Sequence, residues 1–271
     1  MKIALTLIAL ALNGTSPVPL TPAGSASGRY VSHDRALDFS HVVALDQDNA
    51  EGPLDSARQV RVVLSDVPVP AAALFGIAFP AVRAMGRNGV LHGVLIEFDP
   101  ANRESMRATV LDRPSDPAES MATLTISKSE GVWSSLEITT AMVSGSYKPE
   151  NSGGLEFAFT APLLSDSVRE DVRGPKAQAT EQMQVLIARA EALRRGDITT
   201  ALSLSGPQGR AELKDASAET LREAATAMAT EIEDLKRSRR VVVRSGSAVA
   251  TLGGGSWASL ILEDGKWKVA D

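Results

Sequence analysis

The chain has 271 residues, a formal net charge of −5, 44% hydrophobic residues and no cysteine. This is a globular composition, with length for one large domain or two ordinary ones. The missing cysteines exclude disulfides, thiolate metal sites and lipid attachment at a processed N-terminus, and the acidic balance argues against nucleic-acid binding.

The first 27 residues have the parts of a secretory signal peptide. Lys2 supplies a positive charge, residues 3–12 form a short apolar run, and a tail of small residues and prolines follows. The run is shorter than the roughly 20 residues that span a bilayer. The best cleavage site follows Ser25-Ala26-Ser27 and leaves Gly28 first, with Ala23-Gly24-Ser25 nearly as good. We therefore expect a periplasmic or secreted protein without a transmembrane segment. The alternative is a buried N-terminal strand or helix.

Residues 28–165 are predicted to form an antiparallel, β-rich domain of the sandwich type. Apolar and polar residues alternate with a period of two in short runs separated by Gly, Pro, Asp and Asn. The runs cover residues 59–64, 90–98, 107–111, 121–127, 136–140, 142–148 and 155–160. Pro80 is predicted to open a short helix that Gly86 and Gly89 close. A second layer must cover the apolar face of such strands, which favours a sandwich.

Residues 166–176 are polar, contain Gly174-Pro175 and are interpreted as a linker. Residues 177–271 are predicted to form an α+β domain. A helical apolar pattern runs to Gly196, and Asp197 and Ser217 are predicted N-caps of two further helices. Four strands are predicted to follow, over residues 241–244, 248–252, 257–262 and 267–270, and the last two are joined by a hairpin at Asp264-Gly265.

Three stretches of this last segment resemble the nuclear-transport-factor-like, cystatin-like α+β cone superfamily, in its small exported bacterial form. They are the helix end ALRRGD at 192–197, the long Ala-rich helix after Ser217, and EDGKWKVAD at 263–271. The resemblance covers the C-terminal third only, and it implies a curved antiparallel sheet wrapped around helices with a cavity between them. Enzymes of the superfamily place Asp, His, Tyr or Arg in that cavity. Residues 177–271 contain neither His nor Tyr, which favours a binding or scaffold role.

The expected fold class is therefore α+β, with an N-terminal antiparallel β-rich, sandwich-like domain and C-terminal helices packed on a curved antiparallel sheet. Trp257, Trp267 and Met183 are the candidates for lining the implied cavity. Ordinary core packing is the alternative for all three, because large apolar side chains anchor sheets to helices in most proteins.

The remaining motifs do not match known metal or phosphate sites. His33, His41 and His92 lack metal-ligand spacing. Residues 46–57 begin like a calcium loop but lack its glycine and its final glutamate, and the glycines at 253–255 precede no helix that could bind phosphate. The basic cluster at 236–240 is interpreted as a complement to a helix dipole, with an anionic partner as the alternative. We expect no cofactor and no metal.

These patterns favour a non-enzymatic binding or interaction protein of the cell envelope or secreted space, whose partner is a protein or a small apolar ligand. One alternative is a hydrolase or isomerase whose acids, such as Glu97 and Asp99, come together only in the fold. Another is a purely structural envelope module.

Overall fold

The structure is a computed structural model that describes residues 24–32, 36–48, 58–75, 80–112, 121–128, 131–149, 154–252 and 256–270. The protein is a mixed α+β protein with a ten-stranded and a five-stranded sheet. The strands are β1 (Ser25–Val31), β2 (Ala36–Phe39), β3 (His41–Asp48), β4 (Arg58–Ser65), β5 (Gly93–Phe98), β6 (Ser105–Leu111), β7 (Thr123–Ser127), β8 (Ser135–Ile138), β9 (Met142–Tyr147), β10 (Gly154–Asp166), β11 (Val168–Arg173), β12 (Arg240–Arg244), β13 (Ser247–Thr251), β14 (Trp257–Glu263) and β15 (Lys266–Val269). The helices are α1 (Pro80–Arg87), α2 (Glu181–Arg194), α3 (Ile198–Leu204), α4 (Pro207–Asp215) and α5 (Ala218–Arg237), with 3-10 turns at Ala71–Leu74 and Gly174–Ala179.

The ten-stranded sheet is curled around the long strand β10, which belongs to both of its halves. Residues 154–162 of β10 pair with β1 and β9, whereas residues 163–166 run parallel to β3. The strand order is β2-β1-β10-β3-β4-β5-β6-β7, and β8 pairs with β9. The predicted antiparallel, β-rich character is therefore observed, except that the two layers belong to one continuous sheet with one parallel pairing.

An aromatic core fills the space between the two halves of this sheet. Phe157 and Phe159 alternate inward along β10 and meet Phe98 of β5. The Trp133 ring lies among them, with centroid distances of 4.7 Å to Phe98 and 5.8 Å to Phe157. Edge-on contacts of this kind stabilise a core beyond the area they bury.

The opposite face of strands β3 to β6 is also covered. At one end of it Val43, Val63, Leu95 and Leu111 are buried beneath α1 and the 3-10 turn Ala71–Leu74. Strand β4 is consequently buried from Gln59 to Ser65. Its alternating sequence, typical of a strand with one face in water, is buried on both faces.

The second sheet has the order β11-β12-β13-β14-β15 and is antiparallel throughout. Helices α2 and α5 cover one face of it, around a core that includes Leu186, Leu235, Val241 and Leu260. The predicted helical and strand segments between 181 and 270 are all observed. Helix α4 was not predicted, and it begins with Pro207 directly after Gly206.

The predicted linker, residues 166–176, is regular structure. It contains the end of β10, all of β11, and the start of the 3-10 turn Gly174–Ala179. Strand β11 pairs with β12 and forms one edge of the second sheet. Below, residues 24–166 with the ten-stranded sheet are called the first region, and residues 168–270 with the five-stranded sheet are called the second region.

The helix caps follow the sequence prediction. The side chains of Asp197 and Ser217 accept hydrogen bonds from the backbone N–H groups of Thr200 and Thr220. Each satisfies one of the donors that a helix start leaves open. Helix α2 ends before Gly196, whose φ of 71° is in the left-handed region that glycine adopts readily.

Most of the predicted signal peptide, residues 1–23, lies outside the described residues. The described chain continues into β1, which begins at Ser25 and places Ser25, Ala26 and Ser27 opposite β10. The favoured cleavage site after Ser27 is therefore within a strand. Among the described helices, none combines the length and the apolar character needed to cross a membrane.

Candidate functional site

A groove of about 650 Å³ lies in the second region between helices α2 and α5 and strand β14. Its volume is in the range of small-molecule sites, about 300–1,000 Å³. The lining residues come from the two helices, from β14 and its flanks, and from β15: Leu186, Arg189, Ala227, Thr230, Glu231, Asp234, Leu252, Ser256, Trp257, Ala258, Ser259 and Val269.

The spacing of residues on α5 explains its side of the groove. Ala227, Thr230, Glu231 and Asp234 follow one another at intervals of three, one and three residues, so they share one face of the helix. Ala227 is small and leaves open space, while the two carboxylates give this side a negative charge. Trp257 on β14 supplies an aromatic surface on the wall and is 36% exposed.

Arg189 is the basic residue of the groove lining, and α3 fixes its position. Its Nε donates to Ser205 Oγ at 2.8 Å, and that hydroxyl in turn donates to the carbonyl of Ala201. Arg189 is 9% exposed. The groove therefore combines apolar walls, an acidic side on α5 and a buried guanidinium that is held by its own partners.

Of the three residues proposed from the sequence, only Trp257 lines this groove. Trp267 and Met183 are 9% and 0% exposed and belong to the core cluster between the second sheet and its helices. Trp267 and Met183 are thus core residues, and Trp257 lines the groove.

A second feature is a line of buried polar side chains across five adjacent strands of the first sheet. It consists of Arg107, Glu97, Arg61, Gln47 and Asp166, and is called the buried polar row below. Four of these residues are at most 4% exposed, and Arg107 lies at the outer end. Arg61, Glu97 and Arg107 are direct cross-strand neighbours on β4, β5 and β6.

Hydrogen bonds and one ion pair connect the members of the row. Arg107 Nε donates to Glu97 Oε2 at 3.2 Å, and Arg61 Nε lies 3.9 Å from Glu97 Oε1. The Arg61 guanidinium also donates to Gln47 Oε1. The Gln47 amide then donates to Asp166 Oδ2 at 2.6 Å. An amide suits this position because it accepts with one atom and donates with the other.

Asp166 connects the row to the second region. Its Oδ1 accepts from the backbone N–H of Gly246 at 2.8 Å, and its Oδ2 accepts from Ser247 Oγ. Arg244 adds a link by donating to the backbone carbonyl of Asp48 at 3.0 Å. Burial lowers the pKa of Arg61 to about 9, an effect that the charge of Glu97 opposes. The arrangement joins two sheets and buries charge at their junction.

The remaining sequence candidates have separate contacts. Glu97 belongs to the buried polar row, whereas Asp99 accepts from the N–H of Ala101 in the turn after β5. The structure therefore does not bring them together as an acid pair. His92 Nδ1 lies 2.7 Å from Asp112 Oδ1, and His41 begins β3 opposite Ser65. His33, residues 49–57 of the calcium-like segment, and the glycines at 253–255 lie outside the described residues.

The basic cluster at the end of α5 serves the helix terminus and the neighbouring strand. Arg239 Nη1 donates to the carbonyls of Lys236 and Ser238, and Arg240 donates to both carboxylate oxygens of Asp171 on β11. These contacts place a cation at the C-terminal end of α5. Within the described ranges, no group of three or more His, Cys, Asp or Glu side chains is placed to hold a metal ion.

Comparisons with protein-family models, with curated proteins and with solved structures give no match to this chain. The groove and the buried polar row are therefore interpreted from their own geometry. The sequence analysis did not identify the row, although Arg61 interrupts the apolar run of β4. That signal is ambiguous, because the same alternation is typical of a strand with one face in water.

Proposed function

We propose that this chain is an exported, non-enzymatic binding protein that holds a small amphiphilic molecule in the groove between α2, α5 and β14. The observation that carries the proposal is the groove itself, with its volume of about 650 Å³ and the Trp257 ring on its wall. Ligand sites of this type combine mostly apolar surface with a few polar groups that set orientation.

The charges of the groove favour a ligand with an apolar body and a cationic head. The groove lining contains two carboxylates, Glu231 and Asp234 on α5, and one guanidinium, that of Arg189, so its net formal charge is negative. A cation beside the two carboxylates gains Coulomb energy, and an anion there meets repulsion. The apolar body would pack against Leu186, Trp257 and Val269.

A binding role is favoured over catalysis by the residues of this region. The resemblance to the cone superfamily suggests a cavity in this position, and enzymes of that superfamily use residue types that residues 177–271 lack, His and Tyr. The ionisable residues that line the groove are two carboxylates on one helix face and one buried guanidinium. This set suits charge recognition of a bound cation.

The binding test uses three probes of equal length: octylammonium, 1-octanol and octanoate, titrated by calorimetry. We expect affinity to fall in that order, and Ala227→Leu to weaken octylammonium binding about tenfold by filling the groove. Ala84→Leu, the same substitution on α1, is the matched control and should leave octylammonium binding unchanged. Absence of octylammonium binding, or equal affinity for octanoate, would contradict the proposal.

The export component rests on the charged start, apolar run and small-residue tail of residues 1–27. It is tested by the intact mass of the protein recovered from the envelope or the medium of an expressing bacterium. Removal of about the first 25–27 residues is the expected result. Retention of Met1 in that fraction, or recovery of the protein only from the cytoplasm, would contradict export.

A further inference from the structure

A second, smaller cleft lies where the first and second regions meet. It has a volume of about 350 Å³ and is lined by twelve residues. They are Pro70, Ala73, Ala81, Ala84, Met85, Asn88 and Val90 from the first region, and Pro207, Gln208, Ala211, Ile261 and Glu263 from the second. Small-molecule sites are common at such junctions because two surfaces enclose the ligand.

The lining of this cleft is apolar and made of small side chains. Four of the residues are alanines and two are prolines. Ala73 and Ile261 are buried at 8% and 6% exposure, while Val90 is 60% exposed at the edge. The cleft is open because its alanine side chains leave a volume that larger side chains would fill.

The backbone holds Val90 in place at the end of α1. Gly89 has a φ of 66°, its N–H donates to the carbonyl of Gly86, and the N–H of Val90 donates to the carbonyl of Met85. This is a Schellman motif, in which an apolar contact between the residues at the positions of Val90 and Met85 is usual. Both residues line the cleft, so the hydrogen bonds at the end of α1 hold Val90 at the edge of the cleft.

The charge of the cleft indicates a neutral occupant. Glu263 is the ionisable residue of the lining, and Arg210 donates to both of its carboxylate oxygens at 2.7 and 2.9 Å. A charged ligand group would lose its hydration against the apolar wall, and Glu263 is already paired with Arg210. Burial of such a group therefore costs free energy. Gln208 and Asn88 can still form hydrogen bonds with a hydroxyl or a carbonyl group.

The size of the cleft argues for a small molecule over a protein partner. A protein interface of standard size contacts about 20–30 residues on each side, whereas twelve residues line this cleft. We propose that the cleft between α1 and α4 is a second binding site, for a small neutral apolar molecule such as a medium-chain alcohol. This site is independent of the groove proposed above, because the two linings share no residue.

The test follows the methyl signal of Met85, which lines the cleft, in protein labelled with ¹³C at the methionine methyl groups. Titration with 1-octanol should shift the Met85 signal to saturation, with smaller shifts of the other methionines. The affinities of octanoate and octylammonium, measured by the shift of the Met85 signal, should be about tenfold lower, because each ligand would bury a charge. No saturable shift of Met85, or equal affinity for all three probes, would overturn the proposal.

Two variants locate the binding. Ala84→Leu fills the cleft from α1 and Ala211→Leu fills it from α4, so each should weaken the 1-octanol response of Met85 about tenfold. Two variants are used because one of them could fail to fold. Circular dichroism shows whether each variant is folded. The matched control is Ala227→Leu in the other groove, which should leave the Met85 response unchanged. If both filling variants fold and still bind 1-octanol like the wild type, the site is not this cleft.

The two proposals can fail separately. If the wild-type protein does not bind octylammonium, the groove proposal is contradicted. The response of Met85 to 1-octanol would still be expected. A melting temperature raised by Ala84→Leu, together with no 1-octanol response in the wild type, would identify the cleft as a packing defect and overturn the second site.

Discussion

The two sheets of this protein differ in where their charged side chains lie. The first sheet buries charged side chains in the row from Arg107 to Asp166, on a face whose other end is apolar. The second sheet buries an apolar core beneath α2 and α5 and keeps ion pairs such as Arg240–Asp171 near its surface. The row ends at Asp166, where the two regions meet, and the hydrogen bonds of Asp166 with Gly246 and Ser247 indicate that the junction is held by hydrogen bonds as well as by packing.

This difference has a physical consequence for stability. An apolar core gains free energy in proportion to the area that it removes from water. Buried charges gain little net free energy, but removal of one partner leaves the others desolvated and unpaired. We therefore expect the second sheet to be sensitive to lost volume and the junction to be sensitive to lost hydrogen-bond partners.

The largest effect should come from the apolar core of the second sheet. Trp267→Ala removes a side chain that is 9% exposed and packed against the helices. The expected loss is about 3–5 kcal/mol in the free energy of unfolding, measured by chemical denaturation. Trp257→Ala is the matched control, since Trp257 lies on a groove wall and should change stability by less than about 1 kcal/mol. Equal effects would show that Trp267 is no more part of the core than Trp257.

The next effect should come from Asp166, the residue that connects the buried polar row to the second region. Asp166→Ala leaves Gln47, Ser247 and the N–H of Gly246 without their acceptor, so the free energy of unfolding should fall by about 3 kcal/mol. We also expect calorimetry to resolve two unfolding transitions in this variant and one in the wild type.

The control for this variant is an exposed carboxylate of the second sheet. Asp171 pairs with Arg173 and Arg240 at the surface, and Asp171→Ala should therefore cost less than about 1 kcal/mol. If Asp166→Ala were no more destabilising than Asp171→Ala, the contrast between buried and surface charges would not hold.

A moderate effect is expected from Gly246 of the second region, which packs against Phe75 of the first region. A Cβ atom at this position would lie 2.8 Å from two ring carbons of Phe75 and 2.9 Å from a third. Because an aromatic ring in a packed site moves only with its neighbours, Gly246→Ala should cost about 1–3 kcal/mol by thermal denaturation. A variant with wild-type stability would mean that the regions separate freely at this contact.

The smallest effect concerns the half-buried pair of Arg210 and Glu263. Hydrogen bonds from Arg210 lower the pKa of Glu263. The unfolded carboxylate therefore takes up a proton at higher pH than the folded one, and the stabilisation is lost as the pH falls through the lowered pKa. Glu263→Gln should be less stable than the wild type by under about 1 kcal/mol at pH 7. The difference should shrink as the pH is reduced to about 3, and an unchanged difference there would contradict the assignment.

Local signals in the sequence predicted much of the secondary structure. Asp197 and Ser217 cap the helices that they were expected to cap, since capping depends on residues within one turn. The alternation of Leu155, Phe157 and Phe159 likewise identified β10 and its inward face. The polar segment 166–176, interpreted from the sequence as a linker, contains strand β11, which was not predicted because its pairing with β12 depends on residues about 70 positions away.

The candidate sites were less predictable. Trp257 and Trp267 occupy similar strand positions in the sequence, and only the placement of α2 and α5 separates the groove wall from the core. The cleft between α1 and α4 had no sequence signal, because α4 was not predicted and its partner α1 lies more than 100 residues earlier.

The sequence by itself determined the mixed α+β class, four of the five described α-helices and most of the described strands, because periods of two and 3.6 residues and capping residues act over short distances. Only the tertiary structure decided that one sheet curls around β10, that Arg61 and Asp166 are buried, and that the groove beside α5 and the cleft between α1 and α4 remain open. Burial of a face depends on which distant segment covers it, and this information is not contained in the pattern of the face itself.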